Sequence, residues 1–213
     1  MSGSRPLITL RDYERIFRVI HALLKNENAT LTKSCLYFGF IGAAILRERL
    51  ATPADAAVGL GMYKLDDSGN IMTFGKRLAD GRIESCADGF HCWVRANGWF
   101  VDFSAPLFQE MYAEQGVRLE TPRKMYQRNI DSIATDPSEL RNPGDALLIE
   151  NPVLTEYYRR HRAQHPMNED LENLAVNWFR KTPKRINTSI RVGNQKGEVV
   201  AVTLSKYRVS GWW

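Results

Sequence analysis

Asn97-Gly98 lies between two short runs, His91-Cys92-Trp93-Val94-Arg95-Ala96 and Trp99-Phe100-Val101-Asp102. Asn-Gly is the favoured dipeptide for a two-residue hairpin turn, because both positions of that turn need φ above zero. Once these two residues form the turn, the strand register is fixed. Ala96 faces Trp99, Trp93 faces Asp102, and Ser104 falls opposite His91. Side chains alternate along a strand, so His91, Trp93 and Asp102 share one face. His91 and Asp102 become diagonal neighbours, roughly 7–8 Å apart at the backbone and within side-chain reach. The carboxylate can then orient the imidazole. A thiol at the other ring nitrogen would complete a nucleophile, a base and an orienter.

Cys35 is the candidate thiol. It follows Thr30-Leu31-Thr32-Lys33-Ser34 and opens the apolar run Cys35-Leu36-Tyr37-Phe38-Gly39-Phe40-Ile41-Gly42-Ala43-Ala44-Ile45-Leu46. Thr32 or Ser34 can serve as N-cap, which places Cys35 in the first turn of a helix. That turn carries free backbone N–H groups and a partial positive charge, both of which favour thiolate, the nucleophilic form. The backbone N–H of Cys35 can also face an oxyanion. The helix is apolar nearly all round as far as Arg47-Glu48-Arg49, so it is expected to be buried. The plainer alternatives are that Cys35 is a small core side chain and His91 a hydrogen-bonded structural residue. The helix start, the hairpin register and the chain order Cys, His, Asp together favour catalysis.

These pieces resemble the papain-like cysteine enzymes, and among them the transglutaminase-like ones. The likeness spans roughly Leu31 to Ala105, through Ser34-Cys35, the strand-like Ala56-Ala57-Val58-Gly59-Leu60-Gly61-Met62-Tyr63, His91-Cys92-Trp93-Val94 and Gly98-Trp99-Phe100-Val101-Asp102-Phe103-Ser104. The resemblance implies an α+β fold of papain-like arrangement, with a buried Cys-bearing helix packed on an antiparallel sheet. It implies Cys35 as nucleophile, His91 as base and acid, and Asp102 as orienter. That superfamily includes peptidases, deamidases, amidases and acyl transferases, so the resemblance names no substrate. It suggests a small bacterial family within the superfamily rather than one of its named enzymes. The chain departs from the papain pattern in having no Gln shortly before Cys35. Position 29 is Ala, and Asn26 and Asn28 have the wrong spacing. An oxyanion donor must therefore come from a backbone N–H or another residue.

A length of 213 residues suits one domain spanning residues 1–213. No run reaches the ~18 apolar residues of a membrane helix. The opening Met1-Ser2-Gly3-Ser4-Arg5-Pro6 lacks the apolar stretch of a signal peptide. Three cysteines at wide spacing do not form a disulfide framework, and the cytoplasm is the expected compartment. His161 and His165 are spaced for a metal on one helix face but have no evident third ligand, so neither metal nor cofactor is expected. The net charge of +5 admits a nucleic-acid partner. The basic residues concentrate late, at Arg159-Arg160-His161-Arg162, Arg180-Lys181, Lys184-Arg185 and Arg191. Without a phosphate loop, zinc finger or aromatic RNA motif they read as solvated surface, and nucleic-acid binding is not expected.

Helical spacing predicts a first helix over Asp12 to Lys25, with His21 beside its apolar stripe in a structural role. A second runs from Cys35 to Leu50. Strands are expected over Ala56 to Leu65 and Ile71 to Phe74, joined by the turn Asp67-Ser68-Gly69-Asn70, and over Arg82 to Ala87. A short helix follows over Pro106 to Ala113. The stretch from Glu114 to Asn142, with Thr121-Pro122 and Asp136-Pro137, reads as loop and is placed to cover the cleft. Beyond it come a strand at Ala146 to Ile149, helices near Val153 to Ala163 and Glu169 to Lys181, and a hairpin of Thr188 to Val192 and Glu198 to Tyr207 around Asn194-Gln195-Lys196-Gly197. The terminal Trp212 and Trp213 are expected to pack on the domain. Cys92 is expected to point away from His91 into the core. The function expected is a cysteine-dependent hydrolase or acyl transferase. Its substrate would be a small molecule or peptide with an amide, ester or thioester. The competing expectation is a non-catalytic binding module on the same scaffold, with nucleic acid as its candidate ligand through the late basic helices.

Overall fold

The computed structural model describes residues 6–118, 122–193 and 197–213. Met1 to Arg5, Thr121 of the Thr121-Pro122 pair, and Asn194-Gln195-Lys196 of the last turn lie outside the described residues. The protein is α+β, with helices packed on a six-stranded antiparallel sheet.

Helix α1 (Leu10–Asn26) is capped by Thr9, whose hydroxyl accepts from the Asp12 N–H at 3.1 Å. Its apolar stripe, including Ile16, Phe17 and Ile20, is buried. Helix α2 (Cys35–Leu50) runs along the sheet. Ser34 occupies its cap position, but the Ser34 hydroxyl donates to Thr30 O at 2.8 Å instead of capping the helix. Helix and sheet approach closely because Gly39 and Gly42 have no side chains. A Cβ on Gly39 would lie 2.4 Å from Cys92 Sγ, and one on Gly42 would lie 2.3 Å from the Phe103 ring. Cys92 is thus core beneath α2, as expected from the alternation.

Strand β1 (Ala54–Lys64) organises the sheet. On one edge it pairs with β8 (Ala146–Glu150), with Gly59 facing Glu150 and Tyr63 facing Ala146. On the other edge it holds two strands in line. Strand β2 (Ile71–Phe74) covers its second half, with Gly61 facing Phe74, and β5 (His91–Ala96) covers its first half, with Gly59 facing His91. Between Phe74 and His91 the chain leaves the sheet for a small hairpin, β3 (Lys76–Arg77) with β4 (Ile83–Glu84). The strand expected over Arg82 to Ala87 is only these two residues of β4. The detour's two ends meet at glycines, since a Cβ on Gly89 would lie 2.7 Å from the backbone of Gly75 and Lys76.

Strand β6 (Trp99–Asp102) returns along β5 with Ala96 opposite Trp99 and Val94 opposite Val101, the register expected from the turn. Asn97 and Gly98 both have positive φ, 45° and 74°. The pairing with β5 stops at Val101, while on its other edge β6 pairs with β7 (Tyr126–Asn129) as far as Asp102, which faces Tyr126. Ser104 therefore does not pair with His91; its backbone and hydroxyl turn back onto Asp102. Helix α3 (Phe108–Glu114) follows. The segment expected to be loop from Glu114 to Asn142 contains β7, which completes the sheet. Among its described residues only Glu114 and Gln115 reach the cleft beside Cys35.

Helices α4 (Pro152–Ala163) and α5 (Pro166–Trp178) come next. Helix α5 begins and ends earlier than the Glu169–Lys181 expected, because Pro166 starts it at its first position. Helix α4 is fixed to β1 by Thr155, whose hydroxyl accepts from the Val58 N–H at 2.9 Å. The hairpin of β9 (Ser189–Gly193) and β10 (Val199–Thr203) is separate from the main sheet. Trp213 packs down on the protein, with its backbone N–H donating to Met125 O at 3.0 Å, while Trp212 stays exposed. No helix among the described residues is long and apolar enough to cross a membrane.

Candidate active site

The break between β2 and β5 positions the site. Phe74 ends one strand and His91 begins the next, and their rings stack with centroids 4.1 Å apart. Gly61 lies beside them. A Cβ there would stand 3.2 Å from His91 Cβ and 3.3 Å from the Tyr63 ring, so glycine leaves the imidazole room. The Trp93 ring is stacked further along the same face, 6.4 Å away.

His91 Nε2 lies 2.6 Å from Asp102 Oδ2, and both side chains are buried. The diagonal contact expected from the hairpin is therefore made. The other ring nitrogen, Nδ1, makes no hydrogen bond of full geometry. Cys35 is among the neighbours that raise the imidazole pKa, through hydrogen bonding and charge, and its part is smaller than that of Asp102. Such contacts are commonly loose before substrate arrives. Burial pushes the imidazole pKa down. The Asp102 charge and hydrogen bond, with the smaller contributions of Cys35, outweigh it and hold His91 up at about 9. Burial raises Asp102 in turn, but the His91 charge and hydrogen bond and the Ser104 donors carry it below the ordinary carboxylate value. The pair is thus an imidazolium and a carboxylate at neutral pH.

Cys35 is the most exposed of the three groups. It is 8% exposed, against 0% for His91 and 1% for Asp102. It opens onto a cleft of about 550 Å³ whose lining includes Thr73, Phe74, Gly75, Phe90 and Met111. Cys35 belongs to a small apolar cluster with Ala56, Val58 and Cys92, against which Leu36, Phe40, Leu154 and Tyr158 pack. In the first turn of α2, the Tyr37 and Phe38 N–H groups donate to Ser34 O. The Cys35 N–H precedes that ladder and is one of the orphan donors every helix start presents. All three cysteines are free thiols.

Three residues around Asp102 were not anticipated in these roles. The Tyr63 hydroxyl donates to Oδ2 at 2.9 Å. Ser104 donates to Oδ1 twice, from its backbone N–H at 2.9 Å and its hydroxyl at 2.7 Å. The Tyr13 hydroxyl, from α1, donates to the Asp102 backbone carbonyl. Ser104 had a readable signal, since an Asp two residues before a Ser commonly closes a local turn. Tyr13 and Tyr63 reach Asp102 only through the folded chain.

Elsewhere the expected groups stay apart from this site. His21 is buried in the core, and burial first and neighbouring cations second bring it down to about 4. His161 and His165 have ring centroids 4.8 Å apart, and no cluster of three potential metal ligands occurs among the described residues. Arg159 and Arg160 both pair with Glu156, at 2.8 and 2.6 Å. Arg162 corrects the expectation of a solvated basic cluster. It is buried, with its guanidinium 5.0 Å from the Tyr37 ring centroid and 4.8 Å from that of Phe40. Burial is the first cause that lowers its pKa. Its stem and head are held in the seam beside α2, so the run Arg159 to Arg162 does not form one basic stripe.

An α+β protein carrying a buried His-Asp pair beneath a helix-start cysteine is the class these observations define. Residues 9–213 match the family described as proteins of unknown function (DUF2026), and the chain belongs to that family. A solved protein described as "The crystal structure of genomics APC5867" is 32% identical to this chain, with a TM-score of 0.87 over 100% of both chains. No curated protein gives a significant match to the chain.

Proposed function

We propose that this protein is a cysteine-dependent hydrolase or acyl transferase of papain-like, transglutaminase-like kind. The observation that carries this reading is one constellation. Cys35 begins a buried helix, lines a cleft and is among the neighbours that raise the pKa of His91, whose Nε2 is held 2.6 Å from Asp102. A thiol, an imidazole and a carboxylate in that order are the parts of nucleophilic acyl chemistry.

In this mechanism the Cys35 sulfur attacks the carbonyl carbon of an amide, ester or thioester. The carbonyl oxygen takes the electron pair, and in this reading the Cys35 N–H donates to it. As the tetrahedral adduct collapses, the bond to the leaving group breaks and the His91 imidazolium gives that group its proton. The acyl group remains on Cys35 as a thioester. Water or an amine then attacks, His91 takes the incoming proton, and the thiolate leaves. Asp102 stays ionised throughout and keeps the ring aligned. The substrate is a small molecule or a peptide, matched to the size of the cleft. Three free thiols suit a reducing compartment such as the cytoplasm.

A panel of activated esters, peptide amides and acyl thioesters, read by intact mass, tests the proposal. The expected result is an acyl adduct on Cys35 that disappears in Cys35→Ala. Turnover that survives Cys35→Ala unchanged, or a panel that never acylates Cys35, would refute it. The binding-module alternative has less support, because Arg159 and Arg160 are engaged by Glu156 and Arg162 is buried.

A further inference from the structure

Asp102 is supplied with more donors than a bare orienting carboxylate needs, and each comes from a different element. Ser104, just past β6, holds Oδ1 with two bonds. Tyr63, from β1, donates to Oδ2, the same oxygen that faces His91. Tyr13, from α1, secures the backbone carbonyl. The Tyr63 ring is itself wedged. Its centroid lies 4.9 Å from that of Phe108, 5.1 Å from Tyr126 and 5.9 Å from Phe74, the last two edge to face. Its O–H therefore has a fixed direction. Burial first and the Asp102 charge second raise the phenol well above its ordinary pKa, so it is a neutral donor.

We propose that Ser104 and Tyr63 are positioning residues for the Asp102 carboxylate: Ser104 fixes its orientation through Oδ1, and Tyr63, by sharing Oδ2 with His91, limits how tightly the carboxylate holds the imidazole proton. The proposal rests on the Cys-His-Asp reading of the site. Its physical basis is the competition for one oxygen. A hydrogen bond from Tyr63 takes up part of the charge on Oδ2. Without it, that charge would act on His91 alone, and the imidazolium would be a weaker acid. A His91 that gives a proton to a leaving group and takes one back works best when its grip is moderated. Ser104 does the complementary work. Two bonds to Oδ1 keep the carboxylate from rotating, so that Oδ2 remains aimed at Nε2.

The test uses the full-length protein and needs no substrate. Nitrogen-edited NMR of the imidazole rings follows His91 across pH, with His91→Gln for assignment. Tyr63→Phe keeps the ring and removes only the hydroxyl. It is expected to raise the His91 deprotonation midpoint by about one pH unit. Ser104→Ala is expected to broaden or abolish the downfield proton of the His91–Asp102 hydrogen bond, and Ser104→Thr to restore it. A purely structural role would lower the melting temperature in both cases and leave midpoint and resonance unmoved. That outcome, or a midpoint that falls in Tyr63→Phe, would overturn the proposal. Should Tyr63→Phe not fold, the Ser104 pair decides. Shifts as expected without acylation of Cys35 would sink the enzymatic reading alone. Acylation with no shift in any variant would sink only the positioning roles.

Discussion

Replacing Asp102 by Asn tests the centre of the site with almost no change of shape. In the native protein burial pulls the His91 imidazole down, and Asp102, with a smaller part from Cys35, brings it to about 9. Removing the carboxylate charge leaves burial as the main influence, so the midpoint is expected to fall to the ordinary value of about 6.5 or lower. A fall from about 9 to about 6.5 corresponds to on the order of 3 kcal/mol of lost imidazolium stabilisation. At pH 8 the protonated fraction of His91 would drop from about nine-tenths to about one in thirty. Imidazole NMR reads this directly. Stability supplies a second reading with a definite sign. A group whose folded pKa is raised stabilises the fold fully below its unfolded value and loses that contribution as pH rises through the folded value. Native stability is therefore expected to decline between about pH 6.5 and 9 relative to Asp102→Asn, whose curve lacks the His91 contribution there. If the reading of the site is right, acylation of Cys35 should also slow, by as much as about 10⁴ in related triad logic. A His91 midpoint that moves by less than about one pH unit would refute the electrostatic argument.

Three further outcomes are expected. Brief iodoacetamide treatment of folded protein at neutral pH should label Cys35 before Cys86 or Cys92, as peptide mass mapping would show. Cys86 is the more exposed thiol, so exposure alone predicts the opposite order. Gly39→Ala should cost roughly 1–3 kcal/mol in denaturant unfolding, because its Cβ would stand 2.4 Å from Cys92 Sγ, and Cys92→Ala should recover part of that loss. If it recovers nothing, the close approach of α2 is not the cause. Arg162→Ala should destabilise the protein by a comparable amount through lost packing, whereas Arg159→Ala with Arg160→Ala should be nearly neutral. Submicromolar binding of RNA or DNA at physiological salt, abolished by the Arg159, Arg160 and Arg162 triple alanine variant, would contradict this assignment.

The parts of the fold that were legible are those with a local cause. Asn97-Gly98 dictates a turn whose geometry sets the register of both flanking strands, and that register brings His91 to Asp102. The apolar run after Ser34 dictates a buried helix beginning at Cys35. Strand β7 was not legible, because Tyr126-Gln127-Arg128-Asn129 has no apolar alternation. Its pairing with β6 and the bonds of Gln127 to Ile8 hold it in place. The burial of Arg162 depends on the faces of Tyr37 and Phe40, which a different helix presents. Tyr13 and Tyr63 were visible as aromatic residues on predicted elements. That their hydroxyls converge on Asp102 depends on how α1, β1 and β6 cross, which no local spacing encodes. Ser104 lay opposite His91 in the extrapolated register, and a short-range turn at Asp102 overrode that pairing.

The detour between β2 and β5 separates what must stay constant from what is free to vary. His91 and Phe74 belong to two strands that lie in line along β1, and the chain between them starts and finishes at nearly one point, where Gly75 meets Gly89. Ile83 packs against Leu60 and Met62, and Ser85 accepts from Asn151, so the rest of the detour is the part open to change. Yet Ala87, Asp88 and Phe90, which it contributes, form one bank of the cleft. The scaffold thus behaves like a socket with an exchangeable rim. Descendants of such a chain can acquire new preferences by editing one surface hairpin, leaving the imidazole and its carboxylate untouched, and an engineer can graft loops there for the same reason.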